Sequence, residues 1–254
     1  MGPLLFLIFF NDFPDCLLSC KVIMYADDTV IYSNGKCKAQ IEKNLNCDMR
    51  RISTFFEQNE LIAILKKGKT ETMLFGTAKR ISTIDKFLNV SYRGLQVNNV
   101  TEYKYLGNIV DPNLTFNKNF ESVYKKASGR LRLLQKLRPY LTNEAAYLIF
   151  SMMIVTILTY QGPVKLTFTA THQQQFESLE SRARRITGIS VPSILNLIRA
   201  EALILIKKLI DGTSCSNLNV YFKLRTCSKT RNSGFLIKTS RIKLETGKQS
   251  FKYS

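Results

Sequence analysis

Two adjacent carboxylates, Asp27 and Asp28, stand between short runs of strand-forming residues in KVIMYADDTVIYS, residues 21–33. Val22, Ile23, Met24 and Tyr25 precede them, and Thr29, Val30, Ile31 and Tyr32 follow. Two like charges about 4 Å apart repel by about 1 kcal/mol in water and about 4 kcal/mol at an effective dielectric of about 20. A purely structural hairpin turn is better served by Asn-Gly or Asp-Gly. A divalent cation reverses the sign of the repulsion, and hard carboxylate oxygens suit Mg2+. Successive side chains on a strand point to opposite faces, so one aspartate is expected to be the main ligand and the other an auxiliary. Two-metal phosphoryl chemistry needs a further carboxylate from elsewhere. Taken alone, the pair also fits a plain turn, because Asp is a common turn residue.

Presenting the pair at a tip requires residues 21–33 to form a β-hairpin, with Asn34-Gly35 as the turn that closes its second strand. Before it, residues 2–14 read as a buried apolar helix that stops near Asn11–Pro14. After it, Ile41, Leu45, Met49, Ile52, Phe55 and Phe56 recur at steps of three and four, which predicts an amphipathic helix over about 39–57. LIAIL (61–65) and TMLFG (72–76) read as strands around the basic turn Lys66–Lys69. LNVSYRGLQVN (88–98) reads as a hairpin with Arg93-Gly94 in its turn, and TEYKYLGNIVD (101–111) as another strand. From Asn119 to Leu137 the apolar positions Phe120, Val123, Tyr124, Ala127, Leu131 and Leu134 mark a helix. Its polar side holds Lys125, Lys126, Arg130, Arg132, Lys136 and Arg138 against Glu121 alone. Helical patterns continue over 143–160, 172–187 and 193–210, and the basic tail from Thr213 on shows no period and is expected to be weakly structured. The fold class is therefore α+β.

Composition narrows the partners. The 254 residues hold 37 Lys+Arg against 19 Asp+Glu, a net charge of +18, which points to a polyanion. Residues 1–35 hold four aspartates against one lysine, a net of −3, leaving +21 for the rest. An acidic spot in a basic chain suits a metal-dependent enzyme acting on nucleic acid. Six cysteines without a C-x-x-C pair, and one histidine, exclude a zinc finger and fit free thiols in a reducing compartment. The apolar run Leu4–Phe10 has no basic flank or small-residue cleavage site, so secretion is not expected and an intracellular site, nuclear or cytoplasmic, is. Residues 145–164 are uncharged, but Ser151, Thr156, Thr159, Gln161 and Gly162-Pro163 make a buried helix the better reading than a membrane anchor.

Four stretches carry a resemblance: GPLLFLIFFND (2–12), YADD (25–28), GKTETMLFG (68–76) and YKYLGNIVD (103–111). Their order and spacing resemble the reverse transcriptases of non-LTR (LINE-like) retrotransposons, from the end of motif B through motifs C, D and E. YKKASGRLRLLQKLRPYL is similar to the region where that family's thumb begins. The resemblance covers about residues 2–190. It implies an incomplete palm (1–118) of antiparallel sheet with helices, a thumb-like helical region (119–190), and a helical extension with a basic tail (191–254).

The same resemblance implies that Asp27 is the motif C metal ligand with Asp28 its partner, and that Lys69 protonates the leaving pyrophosphate. The alternative for Lys69 is a solvated loop lysine beside Lys66 and Lys67. Tyr105, Leu106 and Gly107 would belong to the primer grip, or to a strand edge packed on the core. Implied partners are an RNA template, a DNA primer and dNTPs, with Mg2+ as cofactor. Lys66 stands where the family usually has asparagine, and Phe56 where tryptophan is common. The chain starts within motif B, so motif A, with its aspartate, and the fingers are not in it. The expectation is a fragment unable to polymerise alone, prone to self-association through an unpaired palm edge. The competing expectation is a noncatalytic nucleic-acid-binding module that uses the basic helix.

Overall fold

The computed structural model describes residues 1–213, which fall into two units, Met1–Leu114 and a second beginning at Thr115. The first is built on aromatic packing. Helix α1 (Gly2–Phe10) is apolar all round, with a proline in its first turn. Only one side of it is packed: Phe10 stacks on Phe13 of the following 3-10 turn (Phe13–Cys16) at 4.7 Å. Leu4, Leu5, Leu7 and Ile8 stay exposed.

Strands β1 (Lys21–Tyr25) and β2 (Asp28–Tyr32) pair antiparallel, with Lys21 opposite Tyr32 and Tyr25 opposite Asp28. Val22, Met24 and Ile31 pack toward the core, while Ile23, Tyr25 and Tyr32 face out, the period-two pattern of a half-buried strand pair. Among the described residues this sheet has two strands, so both outer edges lack a ladder partner.

Helix α2 (Lys38–Gln58) is the beam of the unit. Ile52, Leu45, Met49, Phe55 and Phe56 join the core, with Phe55 and Phe56 at 5.5 and 5.8 Å from the buried Phe13 ring. Asp48 lies in the same stripe and is fully buried. Its carboxylate accepts the consecutive backbone N–H groups of Leu18 (3.2 Å), Ser19 (2.9 Å) and Cys20 (2.7 Å), the residues that lead into β1. Farther along, Asn46 accepts from Ser91 N–H and donates to the Asn89 carbonyl, and Arg93 pairs with Glu57 at 3.1 Å. One helix thus fixes two hairpins.

The rest of the unit is short pieces: β3 (Glu71–Thr72), α3 (Ala78–Thr83), β4 (Ser91–Tyr92), β5 (Leu95–Gln96), β6 (Asn98–Asn99), β7 (Tyr103–Tyr105) and β8 (Asn108–Val110). The expected hairpin over 88–98 is β4–β5, turning at Arg93 and Gly94 with φ of 51° and 76°. Four expectations need correction. Helix α1, expected to be buried, is exposed except at Phe6 and Phe10. TMLFG is in a strand only at Thr72, because β3 pairs over two residues and residues 73–76 find no ladder. LIAIL alternates between half-buried and exposed as a strand would, but it finds no ladder, so its periodicity reflects packing alone. TEYKYLGNIVD is a hairpin, β7–β8, because Leu106 and Gly107 reverse the chain at φ of 44° and 88°.

The second unit is helical. Helix α4 (Asn117–Leu137) buries Phe120, Val123, Ala127, Leu131 and Leu134. Helix α5 (Asn143–Phe150), a π-helical segment (Ser151–Val155) and α6 (Thr156–Thr159) make one run that buries Ala146, Phe150, Ile154 and Leu158 at every fourth position. The Arg130 guanidinium donates to the Met153 carbonyl of the π segment at 2.7 Å. Helix α7 (Gly162–Lys165) ends on a buried lysine. Lys165 Nζ donates to the carbonyls of Ile157 (2.9 Å) and Tyr160 (2.5 Å), and burial, opposed by Glu201, lowers its pKa to about 8. Helices α8 (Ala170–Thr187) and α9 (Ile194–Ile210) complete the core, joined where Glu180 accepts the Ile194 N–H at 2.6 Å.

The α+β class holds, with small sheets and no closed barrel. No helix among the described residues is long and apolar enough to cross a membrane. The basic tail beyond residue 213 lies outside the described residues.

Asp48 predicts an acid-labile first unit. Burial pushes its carboxyl up, but the three backbone donors and the Cys20 thiol outweigh burial and hold it below the ordinary carboxylate range. The stability it contributes is present above an unfolded pKa of about 3.9 and is lost as pH falls through the lower folded value. Asp48→Asn should cost about 3 kcal/mol at neutral pH and flatten the acid limb of stability, read by urea denaturation against pH. An unchanged acid limb would assign the effect elsewhere.

Candidate active site and nucleic-acid interface

Hairpin β1–β2 carries Asp27 and Asp28 to its tip. The reversal is made by Ala26 and Asp27, with Ala26 at φ of 52°, a left-handed backbone that costs a non-glycine residue about 1 kcal/mol or more. Strain of that kind persists only where the surroundings hold it. Both carboxylates are exposed, and neither makes a hydrogen bond or ion pair with the described residues.

The residues around Asp28 come from two other segments of the same unit. Tyr103, on β7, donates its hydroxyl to the Lys69 carbonyl at 3.0 Å, tying the basic turn to the β7–β8 hairpin. Burial, and then the negative charge of Asp28, push the hydroxyls of Tyr103 and Tyr105 above the ordinary tyrosine range. Glu71 adds to the shift at Tyr103. The charge of Asp28 is thus felt at Tyr103 and Tyr105, and Tyr103 in turn holds the Lys69 turn, so strand β7 links the acid tip to the basic turn. The Lys69 side chain is exposed, on a turn closed by its own N–H donating to the Lys66 carbonyl.

Tyr103 is absent from the sequence-based set. YKY places residues 103 and 105 on the same face of a strand, so once the resemblance singles out Tyr105, strand alternation puts Tyr103 beside it. Leu106 and Gly107 occupy the β7–β8 turn.

Oxygen donors are the right chemistry for Mg2+, and among the described residues no cation pairs with either aspartate. Two hydroxyls nearby also have unspent capacity: Thr29 Oγ1 and Tyr105 OH are buried without a hydrogen-bond partner among the described residues. The donor set fits part of a divalent-metal site. Among the described residues no group of three or more His, Cys, Asp or Glu comes together to complete one.

In the second unit, Lys125, Lys126, Arg132 and Lys136 are exposed on α4 and make no hydrogen bond or ion pair with described residues. Arg130 is exposed but spends one nitrogen on Met153. Arg138 is different. Its Nε donates to the Ile186 carbonyl (2.7 Å), Nη1 to the Leu141 carbonyl (2.5 Å) and Nη2 to Asn143 Oδ1, so it staples the end of α4 to the start of α5 and the end of α8. Tyr124 stacks on Phe120 at 5.7 Å within the core, whereas Tyr140 is exposed.

Residues 1–110 match the family model of reverse transcriptase (RNA-dependent DNA polymerase). The matched stretch contains the acid pair, the Lys69 turn and the β7–β8 hairpin, and it ends before α4 begins. No curated protein and no solved structure matches the chain.

The charge of Asp28 has a spectroscopic consequence. Asp28→Asn removes an anion that disfavours tyrosinate, so Tyr103 and Tyr105 should both ionise at lower pH. Tyrosine-selective NMR titration reads this, and unmoved values at both rings would place Asp28 away from them.

Proposed function

We propose that this chain is the later part of a reverse transcriptase domain of the non-LTR (LINE-like) retrotransposon kind. Palm residues run through 1–118, thumb-like helices through 119–190 and an extension through 191–254. The observation that carries the reading is the family match over residues 1–110, within which the acid pair sits at a hairpin tip and Tyr103 of β7 holds the Lys69 turn.

In this reading Asp27 and Asp28 hold Mg2+, with the remaining carboxylate supplied from outside the described residues. When bound, the ion would neutralise charge on the phosphates of an incoming dNTP. Lys69 Nζ gives its proton to a pyrophosphate oxygen as that group leaves, and Tyr103 positions the turn that bears it. Tyr105, Leu106 and Gly107 steer the primer end. Lys125, Lys126, Arg130, Arg132 and Lys136 contact phosphates of the template–primer duplex, while Arg138 fixes the helix that presents them. The unpartnered cations of α4 also favour a second reading, a binding module without catalysis.

Purified protein, given RNA template, DNA primer, dNTPs and Mg2+, should bind the hybrid but extend no primer. With about five phosphate contacts, log K should fall with log salt at a slope of about −4 to −5. Asp27→Asn should leave binding unchanged. Template-dependent synthesis would overturn the incomplete-site half of the reading, and salt-insensitive binding the nucleic-acid half.

The open edges of β1 and β2, with Ile23, Tyr25 and the outer face of α1 exposed, favour pairing with a second copy. Size-exclusion chromatography should show species larger than a monomer that shrink on dilution. A monomer at every concentration would contradict this.

A further inference from the structure

Gly129 sits in the interior of α4, within the cationic stretch. Lys125, Gly129, Arg132 and Lys136 follow one another at spacings of four, three and four, so they share one helix face, and all four are exposed. Glycine is the poorest helix former after proline, and it is normally kept in a helix for a turn or a close contact. Neither applies among the described residues. Gly129 has no positive φ, and a Cβ placed on it would meet no atom within 4 Å. Alanine would fit there and strengthen the helix.

We propose that Gly129 is the point of closest approach between α4 and the sugar–phosphate backbone of a bound nucleic acid, an inference that rests on the phosphate-binding role of this helix. Lys125 on one side, and Arg132 and Lys136 on the other, span about 16 Å along the axis. Between them the bare Gly129 backbone leaves room for a phosphate to sit against the helix, flanked by cations. Its Cα–H groups can then face phosphate oxygens, a weak contact that a side chain would block. A rigid polyanion needs such a notch because it cannot adapt to a protruding side chain. Lipid headgroups rearrange around one, so a membrane surface gives no reason for glycine here.

The test measures the full chain binding a short fluorescent RNA–DNA hybrid of mixed sequence by anisotropy across a salt series, alongside thermal unfolding. Gly129→Ala should unfold at higher temperature yet bind about threefold more weakly, and Gly129→Leu about tenfold more weakly. Lys125→Gln and Arg132→Gln should each weaken binding and reduce the salt slope by about one. If the charge variants weaken binding while both Gly129 variants bind as the parent does, the notch is overturned and the phosphate-binding face stands. If the charge variants bind unchanged, that underlying face is overturned and the notch with it. Loss of binding to phosphatidylserine vesicles on Gly129→Leu, with hybrid binding intact, would assign the face to a lipid surface and overturn the proposal.

Discussion

The first unit depends on one buried carboxylate. Asp48 takes up three consecutive N–H groups at the entry to β1, and a bare anion in that position would be prohibitive without them. The bond set is reciprocal. The loop 17–20 has no ladder or helix to use these donors, and α2 has no other polar group at that depth to receive them. Cys20 joins the arrangement, its thiol pushed up to about 12 by burial and by Asp48, which keeps it protonated and unreactive. Since the same helix also clamps the segment leading into β4 through Asn46 and Glu42, the direction of both hairpins follows from the seat of α2 on its aromatic core.

Of the hairpin reversals in this unit that use left-handed non-glycine residues, two flank candidate site residues: Ala26 beside the acid pair and Leu106 beside Tyr105. Both depend on packing elsewhere to hold them. The second unit solves a different problem. Its π segment leaves carbonyls out of register with the α-helical ladder, and Arg130 and Thr156 supply donors for Met153 and Met152. Lys165 does the same at the end of α6, as an ammonium that replaces missing N–H groups.

Features governed by local periodicity were legible in the sequence. The hairpin around Ala26–Asp28 and the stripe Phe120, Val123, Ala127, Leu131 and Leu134 have the spacing their structures require. Whatever depended on a distant partner was not. LIAIL has a strand's alternation, but a ladder needs a neighbour, and periodicity cannot supply one. Arg138 looks like its basic neighbours until its acceptors at Leu141, Asn143 and Ile186 are known. Asp48 carries a signal of its own in the sequence. It falls between Leu45 and Ile52 in an apolar stripe, where a lone acid implies buried donors. The resemblance singled out Asp28, Lys69 and Tyr105, whereas the hold of Tyr103 on the Lys69 turn needs a distant partner and shows only in the structure.

Hairpin β1–β2 behaves as a cantilever. Its clamp is the Asp48 seat just before Lys21, and its free end is the acid tip, five residues or about 16 Å away. A small rotation at the clamp therefore becomes a larger sideways excursion of the carboxylates. Stiffness along the strands then governs how steadily the two carboxylates are presented. A further strand laid along either open edge would act as a splint, coupling sheet completion to the steadiness of the acid tip.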